Sequence, residues 1–486
     1  FLKYFANRYG FFDQTELTSL LDCILEVSDG GYSPVSLSDL ALPLDFEKTY
    51  TKTNVLLTKN GVVKGEVHFN DFGYVSKVHY FSKLGEEIHY YSEKGYVWCK
   101  ESLDKTLKVI KRQIFDELGQ LVFTEYPNCV IIANAYLKVF KHEIYVTYKS
   151  VCIELLNIAL GKFNPKQDWI IIDGTSEWTT ELLANFPHPE KLIIIVSGNT
   201  QEIMKRVNDS QVLIEKSKGV ITDNANFMRR VANNSRFQPI VKKITYRSFY
   251  PTNLALGKSN TYAEQYVYWQ INHLDSKELA SLLAFMEMKL KMPELCLMVD
   301  SQLEEDGVKL HENVANFITQ NFEIDLESAD YQLVQQYYEA QVKEEMTPML
   351  REMFQTAKRD KPTFEQNIKA YLFMTGVEFR YETSRQILVR DFQKVRIFLD
   401  QRDKQAFYSH SLAVSAGIPI LSKQLSPYLV DKKNGVLLRD NQHMLKSVVQ
   451  YLKNTDKWNQ NLVESVEMIE NNGADELMMK WQAELK

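Results

Sequence analysis

Lys404-Gln405-Ala406-Phe407-Tyr408-Ser409-His410-Ser411-Leu412-Ala413-Val414-Ser415-Ala416-Gly417-Ile418-Pro419-Ile420 is the stretch on which the fold turns. Its small-residue core reads as a helix, stopped by Gly417 and Pro419. Short apolar runs flank it, Val395 to Leu399 before and Ile418 to Leu421 after, and both read as buried strands. Downstream, Tyr428-Leu429-Val430-Asp431-Lys432-Lys433-Asn434-Gly435-Val436-Leu437-Leu438 closes the segment.

The same texture extends upstream. Gln265 to Ile271 reads as a strand, Leu279, Leu282, Leu283, Met286 and Leu290 mark one face of a helix, and Glu294 to Val299 reads as the next strand. Leu303 to Lys361 is acidic, then helical. A second set of apolar runs comprises Val130 to Ala133, Trp169 to Asp173, Leu192 to Val196 and Gly219 to Thr222. Continuous runs mean strands buried on both faces, as in a parallel sheet. Asp173-Gly174-Thr175 and Ser197-Gly198-Asn199 fall where strand C-termini turn into loops, the ligand edge of doubly wound sheets. Turn glycines are the plainer account of Gly174 and Gly198.

Nearer the start the period changes to two. Thr51 to Thr58, Val62 to Phe69, Tyr74 to Phe81, Glu86 to Tyr91 and Tyr96 to Lys100 alternate, separated by turns at Asn60-Gly61, Gly73, Gly85 and Gly95. This is a β-meander. Leu103, Leu107, Ile110 and Ile114 predict an amphipathic helix after it, and a last hairpin runs through Gly119 to Glu125. Leu17, Leu20, Leu21, Ile24 and Leu25 predict an opening helix. Trp458, Leu462, Val466 and Ile469 predict a terminal helix, broken at Asn471-Asn472-Gly473.

The chain has 486 residues, with 45% hydrophobic, 25% charged and a net charge of −6. Those values exclude wholesale disorder, and the acidic balance argues against a protein that coats nucleic acid. No apolar run nears the ~18–20 residues of a membrane span. Five scattered cysteines without CxxC spacing suggest free thiols and a reducing, cytoplasmic setting. The chain opens Phe1-Leu2-Lys3 without an initiator Met or a secretory signal, which reads as a trimmed chain. The nine histidines show no HxxxH or HExxH spacing, so no metal site is expected. Ser409, His410 and Ser411 diverge on a helix and do not form a nucleophile–base pair. No catalytic, cofactor-binding or metal residue is assigned.

The stretch from Lys404 to Leu438 resembles the donor-binding region of retaining GT-B glycosyltransferases. In that family two glutamates eight positions apart flank a glycine loop and precede a helix ending Gly-x-Pro. Aligning on Gly417-Ile418-Pro419 puts Lys404 and Leu412 at the acid positions and Gln405 and Phe407 at the loop glycines. Side chains there block the close approach of phosphate to backbone. His273 stands where the family carries a diphosphate-binding Arg, with Lys277 at its Lys position. A mostly neutral imidazole cannot form the bidentate fork.

The chain as a whole is similar to the first of the accessory Sec proteins called Asp. The likeness is carried by Phe5 to Val27 with Phe11-Phe12-Asp13, by Leu37-Ser38-Asp39-Leu40, by Asp71-Phe72-Gly73-Tyr74-Val75-Ser76 and Tyr90-Tyr91, and by Ser415-Ala416-Gly417-Ile418-Pro419, Lys433-Asn434-Gly435 and Trp458-Asn459-Gln460-Asn461-Leu462. The resemblance implies an α/β, GT-B-like fold: two Rossmann-like lobes with an extended antiparallel β-sheet insertion in the first. The expected parts are 1–45 and 127–255 for the first lobe, 46–126 for the meander, 256–445 for the second lobe and 446–486 for C-terminal helices packing back across the lobes. It implies a non-catalytic component of accessory Sec export of glycosylated serine-rich repeat adhesins, cytoplasmic or peripheral at the membrane through the translocase. Its implied partners are the other Asp proteins, the accessory SecA motor ATPase and the adhesin. The alternatives are an active GT-B glycosyltransferase, or a non-catalytic subunit of one, acting on Ser/Thr-rich adhesins, and a module reading glycans through aromatics such as Trp98.

Overall fold

In the computed structural model, residues 33–42, 45–51, 53–70, 73–83, 85–174, 186–381, 383–403 and 407–485 are described. The predicted opening helix, Cys23, Lys404 and Gln405 lie outside them. The chain forms two units, one running to Asp168 and taking in Phe186, the other holding the sheets from Trp169 onward.

The first unit is built on a ten-stranded antiparallel sheet whose order follows the chain, β1 (Glu47–Tyr50), β2 (Asn54–Lys59), β3 (Val62–Phe69), β4 (Val75–Phe81), β5 (Glu86–Tyr91), β6 (Val97–Leu103), β7 (Val109–Phe115), β8 (Leu121–Tyr126), β9 (Cys129–Ile132) and β10 (Ile144–Tyr145). The period-two residues supply the core: Val55, Leu57, Val67 and Val78 in one cluster, Cys99, Ile114, Phe123 and Val130 in another. Asn60 and Gly61 both have positive φ, as the tight hairpin between β2 and β3 requires.

Two expectations are corrected here. The predicted helix through Leu103 and Ile114 is the β6–β7 hairpin, with Glu101 opposite Arg112 and Cys99 opposite Ile114. Its turn is held by the Asp104 carboxylate, which accepts from the Thr106 and Lys108 amides, with Leu107 at φ +62°. The spacing of Leu103, Leu107, Ile110 and Ile114 fits a helix, but Leu107 and Ile110 stay exposed and the strand pairing on both sides prevails. Val130 to Ala133, expected in a parallel sheet, falls in β9 and just past it, and β9 pairs antiparallel with β8 and β10.

The second unit holds two parallel sheets. β11 (Ile170–Asp173), β12 (Leu192–Val196), β13 (Gly219–Thr222) and β14 (Ile244–Tyr246) lie in sequence order. The other sheet comprises β15 (Gln265–Gln270), β16 (Leu295–Ser301), β17 (Val377–Tyr381), β18 (Val395–Asp400), β19 (Ile420–Ser422) and β20 (Gly435–Leu437). Its order is β17-β16-β15-β18-β19-β20, all parallel. The chain therefore runs outward from β15 on one side, then returns to build the other. That reversal makes the C-terminal ends of β15 and β18 the topological switch point, where such sheets take ligands.

Every residue of β16 and β18 is buried, as the continuous runs require. Val267 and Trp269 face one core cluster and Tyr268 the other, so both faces are covered. Each buried Val, Leu or Phe contributes roughly 1.5–3 kcal/mol against exposure.

Within this unit the two sheets are tied by named contacts. The Tyr428 hydroxyl accepts from the Tyr250 amide at 2.8 Å and donates to the Tyr250 carbonyl at 2.6 Å. The C-terminal helices return to the first of the two sheets: Arg247 meets Glu484 at 2.8 Å, and Ser248 donates to Asn472 at 2.6 Å.

Candidate functional site at the carboxyl edge of the six-stranded sheet

Three parallel strands end side by side with polar residues: β15 with Gln270, β16 with Asp300 and Ser301, β18 with Asp400. Each polar residue follows an apolar run, so the pleat that buries the strand also carries the carboxylate inside.

Asp400 is the centre. Its carboxylate takes two parallel bonds from the Arg402 guanidinium, Nε to Oδ1 and Nη2 to Oδ2, both at 2.9 Å. His410 Nε2 stands 2.9 Å from Oδ2, and the Arg402 amide also bonds Oδ1. All three side chains are buried. Burial opposes ionisation of Asp400, but the Arg402 charge and the hydrogen bonds from His410 and Arg402 outweigh it and hold its pKa below the usual carboxylate range. Arg402 is raised in turn: burial works against its charge and Asp400 restores it.

Asp300 has the opposite setting. Tyr268 donates to it at 2.9 Å, Gln270 at 2.7 Å and Thr383 at 3.3 Å, yet burial dominates and its pKa is raised. Trp269 Nε1 donates to Gln401 at 2.8 Å, closing the layer beneath. The edge thus carries one ionised carboxylate locked to its own guanidinium, and a second carboxyl drawn toward the neutral form.

The residues expected from sequence fall around this network. Leu412 is half-buried against the apolar cluster of Phe407, Tyr428 and Ile469. His273 is exposed, 3.9 Å from Asp275. The Lys277 amide is capped by Asp275, and Lys423 lies 3.8 Å from Glu278. Burial, then the nearby Lys277 charge, lowers the Lys423 pKa. Sequence pattern does not single out Asp400, Arg402 and Asp300, and it makes His410 a plain helix residue. The available signal was an acid at the end of each buried run, Val299-Asp300 and Leu399-Asp400.

The Gly-x-Pro stop is structural. Gly417 adopts φ +71°, its amide bonds Val414 and the Ile418 amide bonds Ala413, the two bonds of a Schellman cap. Asn434 shapes the following loop, accepting from the Val430 amide at 2.8 Å and donating to the Tyr428 carbonyl at 2.7 Å.

The family model described as accessory Sec system protein Asp, first member, matches residues 1–486. A curated accessory Sec system protein of that name from Streptococcus gordonii is 22% identical over all of this chain and 88% of its own length. The crystal structure of accessory secretory protein 1, 2 and 3 in Streptococcus pneumoniae matches with a TM-score of 0.71 at 18% identity, over 100% of this chain and 87% of that one. The pneumococcal O-GlcNAc transferase GtfA, in complex with UDP and GlcNAc, shares the fold at a TM-score of 0.55 and 11% identity, over 100% of this chain and 89% of that one. The fold is therefore α/β and GT-B-like, with a large antiparallel sheet in its N-terminal region. On the full-length match to its family model, this chain belongs to the family of the first accessory Sec system protein Asp.

Proposed function

We propose that the protein is a non-catalytic component of the accessory Sec pathway that exports glycosylated serine-rich repeat adhesins. It acts through its surfaces, on a glycosyltransferase frame whose donor site has been filled from within. One observation carries this reading: the Asp400–Arg402–His410 cluster occupies the switch point and is buried. An Arg held bidentate by a buried carboxylate is not free to clamp a diphosphate, and displacing that carboxylate leaves a charge unpaired, at about 3–5 kcal/mol. Leu412 in an apolar cluster supports it, since a Leu offers no acceptor to a sugar hydroxyl.

The proposed partners are the second and third Asp proteins, the accessory SecA motor and the adhesin. The crystal structure of accessory secretory protein 1, 2 and 3 in Streptococcus pneumoniae supports the first of these. A cytoplasmic place, peripheral at the translocase, goes with that role. Among the described residues no helix is long and apolar enough to cross a membrane. The proposed division keeps the expected insertion of 46–126 between 1–45 and 127–255, its sheet carried on to Tyr145 by β9 and β10, with the second lobe at 256–445 and the terminal helices at 446–486.

Co-purification from adhesin-exporting cells tests the role. The tagged chain is expected to bring down the other Asp proteins and the motor ATPase, and to support export when Asp400 and Arg402 are both replaced by apolar residues. Loss of export in a folded double variant would contradict it.

A second reading has one observation in its favour. Gln270 Oε1, Gln401 Nε2 and His410 Nδ1 are buried at the same edge without a hydrogen-bond partner among the described residues. Orphaned polar atoms invite a polar ligand, so a retained nucleotide-sugar site is the runner-up. Titration with the activated sugar separates the two.

A further inference from the structure

A second buried carboxylate lies away from that network, at the C-terminal end of β13. Asp223 is almost completely buried. Ser197, just past β12, donates to its Oδ2 at 3.0 Å, and its Oδ1 has no hydrogen-bond partner among the described residues. The surrounding loop is stiff: Asn224 caps the helix Ala225–Ala232 and donates to the Gly198 carbonyl at 2.8 Å.

Asp223 lies beside the seam between the four-stranded and six-stranded sheets, which the helix it leads into reaches through Asn226. Its charge, when ionised, is felt at the hydroxyls of Tyr246, the last residue of β14, of Tyr250 beyond it, and of Tyr428, which follows β19. Tyr428 and Tyr250 form the two-bond clasp across that seam. One turn away, Asn226 donates to Gln424 across the same seam at 3.1 Å. The cationic groups acting on this cluster are Arg229, which acts on Tyr246, and Arg385, which acts on Tyr250. Among the described residues no cation is hydrogen-bonded to Asp223 itself.

We propose that Asp223 is a proton-operated latch on this seam: neutral, it lets the Tyr250–Tyr428 clasp close over it, and ionised, it draws water in and loosens the clasp. One hydroxyl donor and one bond from its own backbone are too few to replace the carboxylate's hydration, so the closed seam favours the proton. Burial pushes the Asp223 pKa up to about 7, against the Ser197 hydrogen bond and one from its own backbone. The latch is therefore poised where a modest pH change moves its charge.

The sign follows from linkage. The closed seam holds the proton more tightly than an open, hydrated one, whose carboxyl titrates near 3.9. Opening therefore grows as pH rises from about 4, where the open carboxyl ionises, to about 7, and levels off above that. Between pH 6 and pH 8 the open fraction should rise about tenfold.

Hydrogen–deuterium exchange of the full chain, corrected for intrinsic rates, reads this directly. In the wild type, peptides holding Tyr250 and Tyr428 should exchange about tenfold faster at pH 8 than at pH 6, while β16 and β18 do not change. Asp223→Asn should abolish that difference and remain protected at both pH values. Tyr428→Phe, which removes the hydroxyl and both clasp bonds, should exchange at pH 6 at least as fast as wild type at pH 8. Equal corrected protection at the two pH values in wild type would overturn the latch. So would an Asp223→Asn protein with the wild-type pH dependence, or a Tyr428→Phe protein as protected as wild type.

Discussion

Replacing Asp400 by Asn keeps its shape and removes its charge. In the folded protein this leaves the Arg402 guanidinium buried, with its two 2.9 Å bonds now to a neutral amide, one end of which is a donor. Asp300 lies nearby but is bonded to Tyr268 and Gln270, and its pKa is raised, so it is a poor substitute. Removing one partner of a buried pair costs about 3–5 kcal/mol. Because both Asp400 and Arg402 are almost fully enclosed, solvent screening offers little relief. Replacing both together, Asp400→Asn with Arg402→Met, removes the orphan charge and should recover at least half of that loss. The assay is urea unfolding of the full chain followed by circular dichroism and tryptophan fluorescence, comparing the transition that contains Trp269 across the double-mutant cycle. A coupling of about 2 kcal/mol or more is expected. Additive single effects, or an Asp400→Asn loss under about 1 kcal/mol, would refute the claim that the pair is desolvated and mutually dependent. The pH dependence gives a control. Since the folded pKa of Asp400 is depressed, its contribution is complete above about pH 4, the unfolded value. It declines only as pH falls below that, so the Asp400→Asn deficit should be the same at pH 6 and pH 8.

Other expectations concern single residues. Gly417→Ala should lower stability by more than the ~1 kcal/mol of left-handed strain, because the added Cβ would collide with Leu462 Cδ1, and Leu462→Ala should partly restore it in thermal melts. Asn434→Ala leaves the Val430 amide and Tyr428 carbonyl unpaired and should cost about 1–3 kcal/mol, read from the same unfolding curves. The Cys99 thiol, pushed up to about 12 chiefly by burial, should resist alkylation at pH 8 in the native chain and label on unfolding, followed by peptide mass spectrometry. Labelling at the rate of an open thiol would show that the β5–β7 core is not packed as described.

The parts legible in the sequence were those written in local pattern. Leu295 to Val299 and Val395 to Leu399 are continuous because both faces of β16 and β18 are covered, and the hairpins at Asn60-Gly61 and Gly119 are written in turn chemistry. Where two patterns competed, context decided: Leu103 to Ile114 satisfies a helical spacing, yet its neighbours on both sides are strands. The family likeness located the donor region, and Leu412 does face an apolar cluster. What that likeness did not reveal was the filling. Asp300 reaches Tyr268 across 32 positions and Thr383 across 83, while Asp400, Arg402 and His410 look like ordinary loop and helix residues until parallel strands end together. The lone Asp223 is similarly silent, since its isolation is set by Ser197, Tyr250 and Tyr428 from three other segments.

The filled switch point is tested most directly by titrating UDP-N-acetylglucosamine into the full chain in a calorimeter at pH 7.5. No heat beyond dilution is predicted up to millimolar nucleotide sugar, with Arg402 still engaged by Asp400. Saturable binding at micromolar concentration, lost on Arg402→Met, would contradict the account and make this edge a working donor site.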